Sequence, residues 1–523
     1  MCGIFAYLGE RFNEKELVEF LLMNKHRGPD NSKYVSISEK LFLGFNRLQV
    51  NGINSISNQP FNVKGCHLIC NGEIYNFKEL INKYNLNKEY ISESDCEIII
   101  HLYKKIGIEN TLKELDGVFA FVLYDDVNDK LIIARDPIGI RSMYYSITGD
   151  DFAVASEMKS LTNFTEVYQF PAGSYMVVGE EIKQYFNLSI NKLEDNEEEI
   201  CKNIRNYFSE SVKKRLMSDR SIGCLLSGGL DSTITTALAV KFLDYDKVNT
   251  YSIGLKGSID LKYAKIAANY LKTNHTNIEL SEDEFLGAIE KTIYQVESWD
   301  VTTIRASVGN YLVSLYIRDN SDDVVIFCGD VSDEIFGSYR GFMKADNNEN
   351  FLRENIRMIN DISYFDVLRS DKSISGAGLE ARVPFADKKF VKYIMSIHPK
   401  HKMFSDTKME KYILRKAFTG YLPDELLWRR KEAFSDGVSS YKRSWFDIIK
   451  EFVNNKYTDE EYKELRDKYK YNKPYDKESL YYREIFTKHY PNRAETIPYY
   501  WKHPFTTELD PSARLLDCYT DDK

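Results

Sequence analysis

The run Ser227-Gly228-Gly229-Leu230-Asp231-Ser232 stands near the middle of the chain. It follows a short apolar run, Ile222-Gly223-Cys224-Leu225-Leu226, which predicts a buried strand. After it Ile234, Leu238 and Phe242 recur four residues apart, with Ala237 filling the same face, which predicts a helix. Strand, Gly-Gly turn and helix N-terminus together make a phosphate cradle. Backbone N–H groups point outward there, the helix dipole favours negative charge, and glycine allows close approach. Gly-Gly alone would mark only a turn; serine at both ends and an aspartate inside favour the phosphate reading. The loop is not of the Walker A kind, because the Gly-Lys-Ser/Thr ending with its phosphate lysine is missing.

A second constellation opens the chain. Met1-Cys2-Gly3-Ile4-Phe5 puts a cysteine where removal of methionine exposes it as the first residue. A free α-amino group on a nucleophile can act as its own general base, since its pKa lies near neutrality. Met-Cys alone would say little. Its company is His26-Arg27-Gly28-Pro29-Asp30, Arg47-Leu48, Asn71-Gly72-Glu73-Ile74-Tyr75-Asn76 and Ser94-Asp95-Cys96. With these, residues 2–190 resemble the class II, N-terminal-nucleophile glutamine amidotransferase domain. The resemblance extends over Arg135-Asp136-Pro137-Ile138-Gly139, Ser156-Glu157-Met158-Lys159 and Phe170-Pro171-Ala172-Gly173-Ser174-Tyr175.

What the resemblance implies is glutamine hydrolysis. Cys2 thiolate attacks the side-chain amide and releases ammonia, leaving a thioester that water clears. The oxyanion needs preorganised donors, and the resemblance gives that task to the Asn71 side chain and the Gly72 N–H. Arg47 would fork onto the glutamine carboxylate and Asp95 would pair with its ammonium. Leu48, Gln49, Val50, Asn51 and Glu73 would complete the pocket.

The elements that must position these groups are mostly strands. Runs 118–124 and 130–134 predict a hairpin across the polar turn 125–129. Leu68-Ile69-Cys70 predicts a strand leading into an Asn-Gly turn, and helices are expected over 16–24 and 96–105. The expected fold is α+β: stacked β-sheets covered by helices, of the Ntn-hydrolase type. Residues 189–200 are polar and acidic and break the strand pattern, after which Ile200, Ile204, Phe208 and Val212 take helical spacing. The acidic run reads as a solvated helix start, and the domain boundary is placed near residue 195.

In the second half two further strand runs are predicted, 249–255 and 323–328, the latter ending in Gly329-Asp330-Val331-Ser332-Asp333-Glu334. Ligands of open α/β sheets collect beyond the carboxyl ends of strands, so all three motifs are expected at one edge. The expected fold is a parallel sheet with helices, adenine-nucleotide α-hydrolase-like, over 200–505. The glycine loop resembles the pyrophosphate-binding loop of the ATP pyrophosphatase family, whose members adenylate a carboxylate. That resemblance assigns Leu226, Ser227, Gly228, Gly229, Asp231, Ser232, Ile253, Cys328 and Gly329 to ATP. It assigns Asp231 and Asp333 to Mg²⁺, which prefers oxygen ligands.

Three more stretches narrow the family: Asp300-Val301-Thr302-Thr303-Ile304-Arg305-Ala306-Ser307, Leu379-Glu380-Ala381-Arg382-Val383-Pro384-Phe385 and Trp428-Arg429-Arg430-Lys431-Glu432-Ala433-Phe434-Ser435-Asp436-Gly437. With the first half, nearly the whole chain resembles the glutamine-hydrolysing asparagine synthetases. The implied substrates are L-aspartate, ATP and L-glutamine, and the implied intermediate is β-aspartyl-AMP. Lys431 would neutralise charge on pyrophosphate, and Arg305 with Thr302 would clamp the aspartate α-carboxylate. The family often pairs head to tail, which leaves a homodimer as an option that no residue here derives.

The pattern breaks at one place. Where the family reads Ser-Gly-Glu-Gly-Ser-Asp-Glu, this chain reads Cys328-Gly329-Asp330-Val331-Ser332-Asp333-Glu334. The usual glutamate is tied to adenylate formation, so Asp330 stands at the catalytic position one methylene short. A β-branched residue resists φ > 0, so with Val331 either the loop takes another course or the glycine never needed a special conformation. These two residues leave two functions open. One is a working synthetase with a re-set loop; the other is an adenylation-impaired homologue acting as a glutaminase or glutamine-binding protein.

The totals agree with either. At 523 residues two or more domains are expected. A net charge of −9 argues against nucleic acid as a partner. No apolar run reaches membrane-spanning length and no secretory signal is visible. The eight cysteines, from Cys2 to Cys518, show neither CxxC pairs nor zinc spacing. Apart from Cys2 they read as buried thiols of a reducing cytoplasm. Residues 510–523 are polar and expected to fray.

Overall fold

The computed structural model describes residues 1–188, 190, 193, 195–243, 247–440 and 442–516. Cys518, with the rest of 517–523, therefore lies outside the described residues, as do several positions of the polar joint. The chain divides into two compact units. The first is Met1–Asn187, with two short returns, Met217–Ser221 and Ile374–Glu380. The second holds the remainder. No periodicity announces the returns, because they belong to the first unit by packing alone.

In the first unit the strands are β1 Gly3–Leu8, β2 Asn31–Ser36, β3 Leu41–Arg47, β4 Phe61–Val63, β5 Cys66–Ile74, β6 Gly117–Asp125, β7 Lys130–Arg135, β8 Tyr144–Thr148, β9 Asp151–Ala155, β10 Tyr168–Gln169, β11 Ser174–Val177 and β12 Lys183–Gln184. They form two six-stranded sheets, ordered β10-β8-β9-β1-β3-β2 and β12-β11-β7-β6-β5-β4. Alternation explains the layering. Ile69, Ala120, Val122 and Ile133 share one core with Ile4, Ala6, Leu43 and Val154 of the other sheet. Their neighbours Leu68, Cys70, Phe119, Phe121 and Leu123 face the opposite way, into a core with Leu80, Ile98, Ile99 and Leu102 of the helices Phe77–Tyr84 and Ile98–Glu114. This is the stacked α+β arrangement, and β6 pairs antiparallel with β7 as the hairpin pattern predicts.

One local expectation fails. Asn71-Gly72 is not a turn: β5 runs straight through it, with Asn71 opposite Ala120 and Gly72 opposite Phe119. The glycine serves close packing instead, since a Cβ there would meet the Val118 carbonyl oxygen at 2.4 Å.

The second unit is built on β13 Ser221–Leu225, β14 Asn249–Leu255, β15 Asn274–Leu280, β16 Asp323–Phe327 and β17 Glu380–Arg382, ordered β15-β14-β13-β16-β17. The β13–β14 and β14–β15 ladders are parallel. The predicted helix after the glycine loop is Leu230–Phe242. The helix after the joint is Glu197–Lys214, where the acidic run becomes a first turn capped by Asn196 and Glu199. Carboxylates at that end are favoured by the helix dipole. Part of the expected frayed tail is packed: Asp510 holds Arg305, and the Ser512 hydroxyl donates to Asp436 Oδ1 at 3.0 Å. Among the described residues no helix is long and apolar enough to cross a membrane.

Candidate active sites

Each unit assembles one constellation. In the first, β1 begins one residue after the nucleophile and lies beside β3, in a sheet whose inner face packs on that of β5. The Cys2 backbone N–H donates to Asn71 Oδ1 at 3.0 Å. The Cys2 thiol lies 3.7 Å from the Leu48 carbonyl oxygen. Burial pushes this thiol up to about 11, against the lowering pull of the N-terminal ammonium group. Met1 is itself buried, with its ammonium 3.5 Å from Glu380. The other atom of the Asn71 amide, Nδ2, is buried and has no hydrogen-bond partner among the described residues. A buried amide donor left unpaired costs free energy unless a ligand meets it.

The second strand of the pocket turns on Arg47. Its guanidinium donates to the carbonyl oxygens of Asn54 and Asn51 at 3.0 and 3.1 Å, to Asn58 Oδ1 at 2.6 Å, and to the Gly52 carbonyl oxygen. Arg47 therefore folds the 51–58 loop, and a substrate carboxylate gains it only by exchanging with those oxygens. The same loop is braced from the return segment, where Asp219 accepts from Gly52 N at 2.7 Å and donates its own N–H to the Val50 carbonyl oxygen at 2.9 Å. Gln49 N donates to Asp30 at 2.7 Å. Asn51 Nδ2 donates to Glu73, and Asp95 accepts from Ile74 N at 2.5 Å. Cys2, Leu48 and Asn71 thus meet directly, and Arg47, Asn51 and Glu73 form the next chain of contacts. The sequence held no sign of Asp219.

The other constellation lies at the carboxyl ends of β13, β14 and β16. A cavity of about 200 Å³ is lined there by Leu226, Ser227, Gly229, Asp231, Ser232, Ile253, Cys328, Gly329, Asp330 and Asp333, and by Thr302 and Lys431. Gly228 has φ 72, and a Cβ on it would strike the Tyr263 carbonyl carbon at 2.3 Å. Gly229 caps the helix, so the N–H groups of its first turn face the cavity end. The Ser227 and Ser232 hydroxyls join at 3.0 Å across the loop. Gly329 is needed because a Cβ would come within 2.8 Å of Ser232 N.

Asp231 and Asp333 are brought together by a cation that no motif announced. Lys411 Nζ lies 2.5 Å from Asp231 Oδ2 and 2.6 Å from Asp333 Oδ1. Lys431 binds the second oxygen of Asp333. Burial alone would raise the Asp333 carboxyl, but these two ammonium groups hold it well below the usual carboxylate range. Lys411 belongs to a short polar stretch without period, and only the fold returns it to the loop.

Asp330 also lines the cavity. Its carboxylate accepts from Arg369 Nη2 at 2.7 Å and from the Ser370 hydroxyl. Burial opposes ionisation there, yet the Arg369 guanidinium wins and holds the group below its ordinary value. Val331 takes the left-handed conformation, φ 78 and ψ −17, fully buried before the helix Ser332–Phe336. Both expectations for this residue are overturned. The loop keeps the course a glycine would take, and valine bears it between anchored neighbours: the Ser332 hydroxyl donates to Asp231 at 2.8 Å, Asp333 is held by Lys411 and Lys431, and Gly329 packs against Ser232 N. Such a conformation costs roughly 1–3 kcal/mol.

Another expectation fails at Arg305. Its guanidinium is buried and fully used: it bonds Glu478 at 2.8 and 2.6 Å and Asp510 at 3.0 and 2.7 Å, and lies 4.8 Å over the Phe446 ring. It does not line the cavity. Two carboxylates already satisfy it, so it cannot clamp a third. Its neighbour Thr302 does reach the cavity, and the Thr302 hydroxyl is buried without a hydrogen-bond partner among the described residues. Arg369, which no motif marks, and Arg429 and Arg430, which flank Lys431 in its motif, also line the cavity as cations.

Comparison with known proteins finds two family domains in the chain. A glutamine amidotransferase domain family matches residues 1–213, and an asparagine synthase family matches 203–357 and 344–510. The chain is 39% identical to asparagine synthetase [glutamine-hydrolyzing] of Gallus gallus, and equally to that of Homo sapiens, over 99% of this chain and 99% of each relative. It is 38% identical to a probable asparagine synthetase [glutamine-hydrolyzing] of Acanthamoeba polyphaga mimivirus, covering 99% of this chain and all of that protein. The chain belongs to the glutamine-hydrolysing asparagine synthetase family.

Proposed function

We propose that the chain makes L-asparagine from L-aspartate, ATP, L-glutamine and water, releasing AMP, diphosphate and L-glutamate. The observation that supports this most directly is the meeting, in one cavity, of the glycine loop, the ionised Asp330 and the Asp231–Lys411–Asp333–Lys431 cluster.

In the first unit Cys2 attacks the glutamine amide, and Asn71 Nδ2, a donor with no acceptor among the described residues, donates to the oxyanion. Removal of Met1 leaves the Cys2 amine beside Asn71 Oδ1, placed to take the thiol proton. The 49–52 backbone, with Arg47, Glu73 and Asp95, surrounds the amino-acid end of glutamine. In the second unit the aspartate β-carboxylate attacks the α-phosphorus of ATP. The 226–232 loop and Lys431 hold the leaving diphosphate, a task of positioning and electrostatics. Asp330, oriented by Arg369 and Ser370, and the Thr302 hydroxyl, which has no partner among the described residues, face the reacting carboxylate. Ammonia then displaces AMP from the acyl adenylate.

Asp231 and Asp333 fit a magnesium ion, since oxygens of both converge on one cationic centre, the Lys411 ammonium. Mg²⁺ would neutralise charge on the polyphosphate. The same reading carries a cytoplasmic location and pairing as a homodimer. The adenylation-impaired alternative is disfavoured, because the shortened Asp330 still reaches the cavity and is held ionised there.

The test is an assay with radiolabelled aspartate, ATP, Mg²⁺ and ammonia, in which diphosphate and labelled asparagine form together. Absence of diphosphate at saturation with all of them sinks the synthetase reading. Intact-mass measurement addresses the other unit: retention of Met1 rules out an N-terminal nucleophile.

A further inference from the structure

Lys411 stands where a divalent cation would have to stand. Its ammonium is 2.5 Å from Asp231 Oδ2 and 2.6 Å from Asp333 Oδ1, and its side chain is only 1% exposed. Paired with two carboxylates at ion-pair distance, it is a fixed positive charge. The backbone commits to this placement: Lys411 has φ 56, a left-handed turn that precedes the helix Tyr412–Ala417. Lys431 sits differently: among the described carboxylates its ammonium pairs with Asp333 and not with Asp231, it is 21% exposed, and it lies 5.3 Å above the Tyr339 ring.

We propose that Lys411 is a resident counter-ion that occupies the divalent-cation position between Asp231 and Asp333, so that the site takes up metal only together with polyphosphate. This rests on the reading of those two aspartates as metal ligands. Two carboxylates and two ammonium groups balance in the cluster, so a lone divalent cation meets a pair of ligands already neutralised. Like charges only a few ångströms apart in a partly desolvated site repel strongly, and the metal cannot share both oxygens with Lys411. A polyphosphate seated on the 227–232 loop brings several negative charges beside the cluster. Lys411 can then turn from the carboxylates to a phosphate oxygen, releasing them to the metal. The lysine would thereby couple metal uptake to nucleotide, keeping the loop neutral in the meantime.

The experiment is Mn²⁺ binding to the full chain, read from the electron paramagnetic resonance of free Mn²⁺, with and without diphosphate. Without diphosphate, Lys411→Met is expected to bind Mn²⁺ at least about tenfold more tightly than the unsubstituted chain. With diphosphate present the order reverses, because the variant lacks the phosphate contact. Lys431→Met, which leaves Lys411 bridging, is expected to tighten Mn²⁺ binding less. For the unsubstituted chain, diphosphate is expected to raise Mn²⁺ affinity at least about tenfold beyond the diphosphate's own chelation, a readout that needs no variant to fold. Equal Mn²⁺ affinity for the Lys411→Met and unsubstituted chains overturns the counter-ion role while leaving Asp231 and Asp333 as ligands. Mn²⁺ binding unaltered by Asp231→Asn with Asp333→Asn overturns the ligand reading, and this inference with it.

Discussion

Asn71 spends one end of its amide on Cys2 and leaves the other unspent: Oδ1 accepts the Cys2 N–H at 3.0 Å, and Nδ2 is buried with no partner among the described residues. The strand β5 fixes this asymmetry, since Asn71 is held in register opposite Ala120. The orphaned donor predicts a specific phenotype. Asn71→Ala is expected to lower glutaminase kcat on the order of 100- to 1,000-fold, with ammonia-dependent asparagine formation retained. Parallel loss of both activities would mean a folding defect in place of a missing oxyanion donor.

Val331 gives a stability prediction. Val→Gly at a buried site ordinarily loses packing and adds chain entropy, but here it also removes left-handed strain of about 1–3 kcal/mol. Val331→Gly is expected to cost at least about 1 kcal/mol less than Val325→Gly, a residue equally buried in the strand β16. Denaturant unfolding of the two variants makes the comparison. Equal losses would show that the loop carries no strain.

Arg305 should behave as a structural residue. Arg305→Met leaves Glu478 and Asp510 without their shared cation, and breaking a buried ion pair this way costs roughly 3–5 kcal/mol. The expected result is a lowered Tm with the KM for aspartate nearly unchanged at a temperature where the variant is folded. A large rise in that KM with unaltered Tm would return Arg305 to the substrate.

Lys402 supplies a pH dependence. It is fully buried, donating to Asn355 Oδ1 at 2.6 Å, and burial lowers its pKa to about 7. A depressed lysine contributes stability that is present above the unfolded value and lost as pH falls through the folded one. Between pH 7 and the ordinary lysine range, Lys402→Met should therefore lose its relative advantage as pH rises, by on the order of 1.4 kcal/mol per unit. Paired unfolding measurements between pH 7 and 9 read this difference. A pH-independent difference would show that the lysine stays charged when buried.

Much of the molecule is legible in the sequence because its signals are local. The alternation in 118–124 and 130–134, the spacing of Ile200, Ile204, Phe208 and Val212, and the glycine loop between strand and helix each depend on a few adjacent residues and the period of the element they form. Cys2, Asn71, Asp231, Asp330, Asp333 and Lys431 sit in runs whose residue types already suggest their chemistry. What adjacency cannot carry is pairing. Asn71-Gly72 looks like a turn until β6 lies beside it. Arg305 looks like a clamp until Glu478 and Asp510, far along the chain, close on it. Lys411 has no pattern at all, and becomes a bridge only when the chain returns it to Asp231 and Asp333. The sequence by itself determined the two chemistries and most of the residues able to perform them. Only the tertiary structure decided which charges are free to meet a substrate, because a side chain's availability depends on every group that the fold brings within a hydrogen bond of it.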